Sequence, residues 1–360
     1  MSHRISNFNP GPAVLPEEAL REAREALLDY RGSGMGVMEL SHRSALYEEI
    51  HFGLMETLRE LLGAGEEWEV LLLQGGASLQ FSMVPMNLMR GGRAAYVLTG
   101  EWAQRAAKEA RRHGEVEVAA STEAEQFRRV PRGEEVTVAE GAEYLHFTSN
   151  NTIFGTQFHD EPPSAGAPLV ADMSSDFLSR PVRLDRYGLI YAGAQKNLGP
   201  AGLTVVLLRR ELLDRSPAAL PTMLSYRTHA EARSLYNTPP TWAIYLASLC
   251  ARWLQREGGL AAAAERNRAK ADRLYAAFDA HDLYRPTAER ESRSWMNVTF
   301  RLSDPNLEKP FLKGAEERGL VGLKGHRSVG GMRASLYNAM PPAGVEALVG
   351  YLHEFARTQG

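Results

Sequence analysis

Between Trp68 and Leu208 the chain returns again and again to short apolar runs of strand length. "WEVLLLQ", "RAAYVLT", "VEVAA", "EYLHFTS", "APLVADMS", "GLIYAGA" and "LTVVLL" are rich in aliphatic and β-branched residues, as interior strands are. "SLQFSMVPMNLMR" and "EWAQRAAKEARRH" carry helical patterns between the first three of them. This alternation predicts an α/β domain with a largely parallel sheet and helices on both faces. Two helices are expected ahead of it. One covers "EEALREAREALLDY", acidic in its first turn, and the other runs from about Ser44 to Leu62.

From about Pro240 the pattern changes. Two long helical segments, "WAIYLASLCARWLQRE" and "LAAAAERNRAKADRLYAAFDAH", precede two strand candidates, "WMNVTFRL" and "MRASLY", and a closing helix, "VEALVGYLHEFART". The expectation is a large domain over residues 15–257 and a smaller α+β domain from 1–14 and 258–360. A chain of 360 residues has room for two such cores. The formal net charge is −3, with no basic run, which argues against nucleic-acid and membrane-surface roles. A lone cysteine, Cys250, excludes a disulfide framework. The lead "MSHRISNFNPGPAVLPEEAL" lacks the apolar core of a signal peptide, and no apolar run is membrane-length, so the expectation is a cytoplasmic protein.

In open α/β sheets, ligands bind outside the carboxyl ends of the strands, so polar residues at strand ends are the candidates. "YAGAQKNLGPAG" puts one lysine, Lys196, between two buried-strand runs. Desolvation disfavours an ammonium, which makes such a lysine a lowered-pKa nucleophile or a paired charge, unless it sits on a solvated turn. "PLVADMSSDF" leads an apolar strand to a carboxylate, Asp172. A lysine and an acid at successive strand ends suit pyridoxal phosphate, which needs an amine for its aldehyde and a carboxylate beside its pyridine nitrogen. "LLLQGGASLQF" ends a strand in Gly75 and Gly76 and opens a helix through Ala77 and Ser78, offering backbone N–H groups to a phosphate. Trp102 and Thr152 follow two further strands, where one could stack on a ring and the other could hydrogen-bond it. A tripeptide recurs as His42–Arg43 in "SHRS" and His326–Arg327 in "GHRS", with Arg333 close behind the second. Arginine forks suit carboxylate and phosphate, so these sites fit a substrate with two anionic ends.

Taken together these stretches resemble the phosphoserine aminotransferase family, class V pyridoxal-phosphate enzymes of fold type I. The resemblance runs nearly end to end, through "NFNPGPAVLP", "ELSHRS", "QGGASLQF", "TGEWAQRAAKEA", "SNNTIFGTQF", "ADMSSDF", "AGAQKNLGPAGLTVV", "YNTPPTWAIY" and "GHRSVGGMRASLYNAMP". It implies that Lys196 is the Schiff-base lysine and Asp172 the partner of the pyridinium nitrogen. It further implies that Trp102 stacks on the ring, that Thr152 and Gln195 contact the cofactor, and that Gly76 and Ala77 hold its phosphate. Asn237 and Thr238 match residues that reach that phosphate from the neighbouring subunit, which implies a homodimer with shared active sites. Arg43 matches the substrate-anion arginine, with His42, His326, Arg327 and Arg333 as further contacts. Some relatives carry an arginine where this chain has Ser78. The implied reaction moves the amino group of glutamate to 3-phosphohydroxypyruvate in serine biosynthesis, and a phosphorylated hydroxythreonine reaction of pyridoxine synthesis goes with it in the family.

Other chemistries fit less well. A cysteine desulfurase needs a nucleophilic cysteine on a mobile loop, but Cys250 lies in the apolar helical stretch "WAIYLASLCARW". Alanine–glyoxylate-type transamination would keep Lys196 and Asp172 but would not need two His–Arg sites. The glycines of "GSGMGV" are wrongly spaced for a dinucleotide fingerprint and follow a helix rather than a strand. A non-catalytic binder would not need Lys196, Asp172 and Trp102 together. The ten histidines form no HExxH pair, and no metal is expected.

Overall fold

The structure is a computed structural model that describes residues 4–359; Met1–His3 and Gly360, the outermost residues of the expected small domain, lie outside it. Seven strands form the central sheet: β1 (Trp68–Leu73), β2 (Arg93–Leu98), β3 (Glu115–Ser121), β4 (Leu145–Thr148), β5 (Leu169–Asp172), β6 (Tyr187–Gly193) and β7 (Thr204–Arg209). Their spatial order is β1-β7-β6-β5-β4-β2-β3. Only β7 runs against its neighbours, pairing antiparallel with both β1 and β6, so the sheet is parallel in the main. β4, β5 and β6 are buried at every position, which is why β6 and β5 up to Asp172 carry small, aliphatic and aromatic residues rather than a polar alternation, while in β4 the buried His146 is paired with the Tyr191 hydroxyl.

The order of the strands fixes where a ligand can enter. β2 and β4 are hydrogen-bonded neighbours, yet the chain leaves β2 toward β3 on one side and leaves β4 toward β5 on the other. That divergence is a topological switch point, and it opens a crevice at the carboxyl edge. In the same edge row, Thr148 lies opposite Asp172 and Asp172 opposite Tyr191, one turn short of Lys196.

Helices cover both faces. α1 (Glu17–Glu25) stops earlier than its sequence pattern suggests, because Ala26 and Tyr30 continue the buried side while Leu28 is 87 % exposed and the chain turns through positive φ at Arg31 and Gly32. α2 (Ala45–Leu62) begins where expected: the Tyr47 N–H donates to the Ser44 hydroxyl, and left-handed Gly63 ends it. Ile50, Leu54, Leu58 and Leu62 form its buried stripe, each worth about 1.5–3 kcal/mol when fully removed from water. α3 (Gly76–Leu88) starts two residues before the expected stretch, α4 (Glu101–Ala110) follows β2, and α5 (Tyr226–Glu231) is a short turn with no apolar period to announce it. α6 (Thr241–Arg256) is buried over most of its length, including Cys250, whose thiol burial pushes up to about 12.

The remaining residues build a second apolar cluster. α7 (Gly259–Asp279) spans both: Leu260 and Ala263 pack with the sheet's cluster, while Ala271, Leu274 and Phe278 pack with a three-stranded sheet of β8 (Tyr284–Pro286), β9 (Asn297–Leu302) and β10 (Met332–Ser335). α8 (Glu308–Glu317) and α9 (Pro342–Gln359) cover it. The amino-terminal segment joins this cluster through Phe8, and Ser6–Asn7 pair in parallel with Leu320–Val321.

Candidate active site

Lys196 stands three residues beyond the last residue of β6, in the turn before β7. Its Nζ donates to Thr152 Oγ1 at 3.0 Å and lies 6.0 Å from the centroid of the Trp102 ring. Thr152 follows β4 and Trp102 follows β2, so the two strands of the switch point deliver both contacts. Burial pushes the Lys196 ammonium down to about 8, against an opposing pull from Asp172; Arg333 pushes in the same direction as burial. A fraction of this amine is therefore unprotonated near neutrality.

Asp172 closes β5 and is 4 % exposed. Burial raises its pKa, while the Lys196 charge and a hydrogen bond from the Ser174 N–H, 2.9 Å to Oδ1, hold the carboxylate down. A second buried acid stands behind it. Asp176 accepts from the Ser149 hydroxyl and from Gln157 Nε2 at 3.1 Å, and the same Ser149 hydroxyl reaches the Asp172 carbonyl at 3.1 Å. Burial raises the Asp176 pKa, with the Arg180 charge opposing. This brace behind Asp172 was not anticipated. The only trace of it in the sequence is a second aspartate four residues on, in "DMSSD".

The glycine turn lies at the carboxyl end of β1. Gly75 and Gly76 take φ of 87° and 64°, and no side chain caps the first turn of α3. A Cβ at Gly75 would sit 2.5 Å from a Leu79 methyl, so this left-handed turn admits only glycine there. The N–H groups of Gly76 and Ala77 open this uncapped helix end to an anion. Trp102 Nε1 is buried without a partner, a further donor near Lys196. Gln195 shapes the lysine turn, since its carbonyl accepts from the Ala13 N–H at 3.0 Å. Gly11 passes so close that a Cβ there would lie 3.0 Å from Lys196 Cγ.

The arginine candidates divide into two groups. Arg333 is 5 % exposed, donates from Nη1 to the Thr152 carbonyl at 3.1 Å and keeps a buried, unpartnered Nε. His326 lies on the loop before it, with its Nδ1 2.7 Å from the Ser328 hydroxyl. Burial lowers the His326 pKa, and Arg333 and Arg327 add to that effect. Arg327 is exposed. The other pair lies elsewhere on the chain. His42 Nδ1 is 3.3 Å from Thr238 Oγ1, and the Thr238 carbonyl accepts from Asn237 Nδ2 at 3.2 Å and from Gln74 Nε2 at 3.5 Å. Arg43 is exposed, and Thr238 with it. His42, Asn237 and Thr238 thus gather beside Gln74, just before the glycine turn. Among the described residues no hydrogen bond or ion pair joins the two His–Arg pairs. No group of three or more His, Cys, Asp or Glu among the described residues could hold a metal ion.

Comparison with known proteins adds four findings. The family model for class-V aminotransferases matches residues 5–348. A phosphoserine aminotransferase of Geobacillus kaustophilus is 54 % identical over 356 residues, covering 98 % of this chain and 99 % of that protein. The structure of a phosphoserine aminotransferase from Bacillus circulans subsp. alkalophilus superposes with a TM-score of 0.97 at 50 % identity, covering all of both chains. Another phosphoserine aminotransferase structure, described for radiation damage to its Schiff base, gives a TM-score of 0.97 at 49 % identity over 99 % of this chain and all of that one.

Proposed function

Since the chain belongs to the class-V aminotransferases, we propose that it reversibly transfers the amino group of L-glutamate to 3-phosphohydroxypyruvate, giving O-phospho-L-serine and 2-oxoglutarate. The observation that carries this reading is Lys196 at the carboxyl edge of the sheet, its pKa lowered by burial and opposed by Asp172, in a chain that matches phosphoserine aminotransferases over its full length. The cofactor is pyridoxal 5′-phosphate. Its fit rests on a buried carboxylate, a lowered-pKa amine, an unpartnered indole N–H and an uncapped helix end, all at the carboxyl edge of the parallel strands.

When bound, the cofactor supplies an aldehyde for the amino group and an aromatic ring that takes up electrons. In our reading Lys196 would hold that aldehyde and, once free, would move a proton on and off the substrate Cα. Its depressed pKa suits the task, because a base is most useful when its pKa lies near the working pH. Asp172 keeps the ring nitrogen protonated, and its own tie to Ser174 fixes the carboxylate's direction. Trp102 offers the ring a face. Thr152 and Gln195 make polar contacts, and the N–H groups of Gly76 and Ala77 take the phosphate. We further read Asn237 and Thr238 as reaching that phosphate from the second subunit of a homodimer; the exposure of Thr238 supports this.

Arg333 binds the substrate α-carboxylate, and Arg43, His42, His326 and Arg327 take the second anionic group. The same contacts would serve a phosphorylated hydroxythreonine in pyridoxine biosynthesis. A cytoplasmic location and a division into 15–257 against 1–14 with 258–360 belong to the same proposal, the latter supported by the separate cluster around Phe8, Phe278 and Phe300. No helix among the described residues is long and apolar enough to cross a membrane. The test is a coupled assay that offers glutamate with 3-phosphohydroxypyruvate or with an unphosphorylated keto acid. Strong preference for the phosphorylated acceptor supports the reading, and equal use of both would overturn it.

A further inference from the structure

Apart from Lys196 and Asp172, a cavity of about 520 Å³ opens between residues 126–128, the β8–β9 pair and the loop 325–330. Four arginines line it (Arg128, Arg285, Arg301 and Arg333), and no aspartate or glutamate does. None of the four has a carboxylate within ion-pair distance among the described residues, whereas neighbouring Arg129 is held by both Glu125 and Glu135. Arg285 and Arg301 face each other directly across the antiparallel β8–β9 pair. Like charges in that position repel and destabilise a sheet. Arg128 uses only its Nε, donated to the Thr287 carbonyl at 3.2 Å, and Arg301 donates one nitrogen to the Val329 carbonyl. Phe127 and Phe154, with ring centroids 4.9 Å apart, give the cavity an apolar wall.

We propose that this cavity is a second anion site that binds a small phosphate monoester, its phosphate between Arg128, Arg285 and Arg301 and its carbon skeleton against Phe127 and Phe154. A dianion there turns the Arg285–Arg301 repulsion into two attractive contacts. The volume suits a small organic molecule rather than a macromolecular segment. The occupant bears on the reaction centre through one wall, because Val329 belongs to the loop carrying His326 and Arg327, and Arg333 also holds the Thr152 carbonyl. The inference stands on the arginine geometry and does not depend on which keto acid the enzyme uses.

Calorimetric titration of the holoenzyme with inorganic phosphate, at constant ionic strength, tests it. Wild type should bind phosphate at a site that Arg43→Ala leaves intact. Arg285→Gln should weaken that binding roughly 10- to 100-fold, the loss of one or two charge-assisted hydrogen bonds. Arg285 is exposed, so the variant should fold, and in phosphate-free buffer it should melt no lower than wild type. A thermal upshift with phosphate should appear in wild type and be lost in the Arg128→Gln/Arg285→Gln double variant. The proposal fails if the double variant binds phosphate as wild type does. It fails equally if wild type binds none at millimolar phosphate, or only the phosphate that Arg43→Ala removes.

Discussion

In the cofactor-free protein the protonation of Lys196 is a balance of four influences, burial and the charges of Asp172, Arg333 and, least, Asp176, and the charges can be removed singly. Burial disfavours the ammonium most, Asp172 favours it and Arg333 disfavours it, with the result at about 8 against an ordinary 10.5. At ~1.4 kcal/mol per unit, the site disfavours the charged lysine by ~3 kcal/mol. About a tenth of the lysine is then free amine at pH 7, against well under a thousandth for an unperturbed side chain. Asp172→Asn removes the larger of the two favourable charges, so the midpoint should fall below 8; a fall of about one unit brings the free amine to about half at pH 7. Arg333→Gln should raise the midpoint, and a rise of about one unit leaves about a hundredth. Trace acetylation across a pH series, followed by mass spectrometry of the Lys196 peptide, reads each midpoint directly. The expected order is Asp172→Asn below wild type below Arg333→Gln. Coincident midpoints, or the reverse order, would refute the electrostatic account. The linkage has a definite sign. The folded pKa lies below the unfolded one, so the unfolded chain binds more protons between about 8 and 10.5. Lys196 therefore destabilises the cofactor-free fold below pH 8, and that penalty fades as pH rises toward 10.5.

Borohydride treatment of the yellow holoenzyme should fix the cofactor to the peptide containing Lys196; a label on another lysine would displace it from its role. Arg43→Ala should lower kcat/KM for 3-phosphohydroxypyruvate by about one to two orders of magnitude, from lost charge-assisted hydrogen bonds of roughly 1.5–3 kcal/mol, and should affect a keto acid with one carboxylate far less. Equal losses for both would assign Arg43 to the fold or the cofactor. Lys270 is buried, with its pKa lowered to about 7 by desolvation, and donates to the carbonyls of Leu336, Tyr337 and Met340. Lys270→Met leaves those acceptors without their shared donor and should destabilise the protein by on the order of 3 kcal/mol, read as a lower denaturant midpoint with no change of m-value.

The sheet was legible because interior strands leave an unmistakable record. "LTVVLL" and "GLIYAGA" are buried on both sides, and that burial demands apolar residues throughout. Lys196, Asp172, Trp102 and Thr152 could be found for the related reason that polar residues at the ends of such runs need a purpose. The antiparallel β7 could not be read, since "LTVVLL" would look the same in either direction. Nor could α5 or the strand at Tyr284, which are too short to show a period. The brace of Ser149, Gln157 and Asp176 joins residues 27 and 19 apart, and the Arg285–Arg301 pairing depends on register, so neither has a local signature. The two His–Arg pairs were visible as a repeat, but the different partners they take, Thr238 for His42 and Ser328 for His326, were not.

The path of residues 6–13 has a consequence for how the protein is made. Ser6 and Asn7 lie beside Leu320 and Val321, the Pro10 carbonyl accepts from the Tyr337 hydroxyl at 2.7 Å, and Gly11 to Ala13 run across the turn holding Lys196. A ribosome adds about 5–20 residues per second, so the opening segment waits on the order of tens of seconds for its partners to be synthesised. Through that interval the seven-stranded sheet can assemble, but the lysine turn lacks the covering its own amino terminus later provides. Ser6, Asn7 and Pro10 thus take their places only after residues made more than 300 positions later have appeared, and the segment that crosses the lysine turn is anchored on both sides only then.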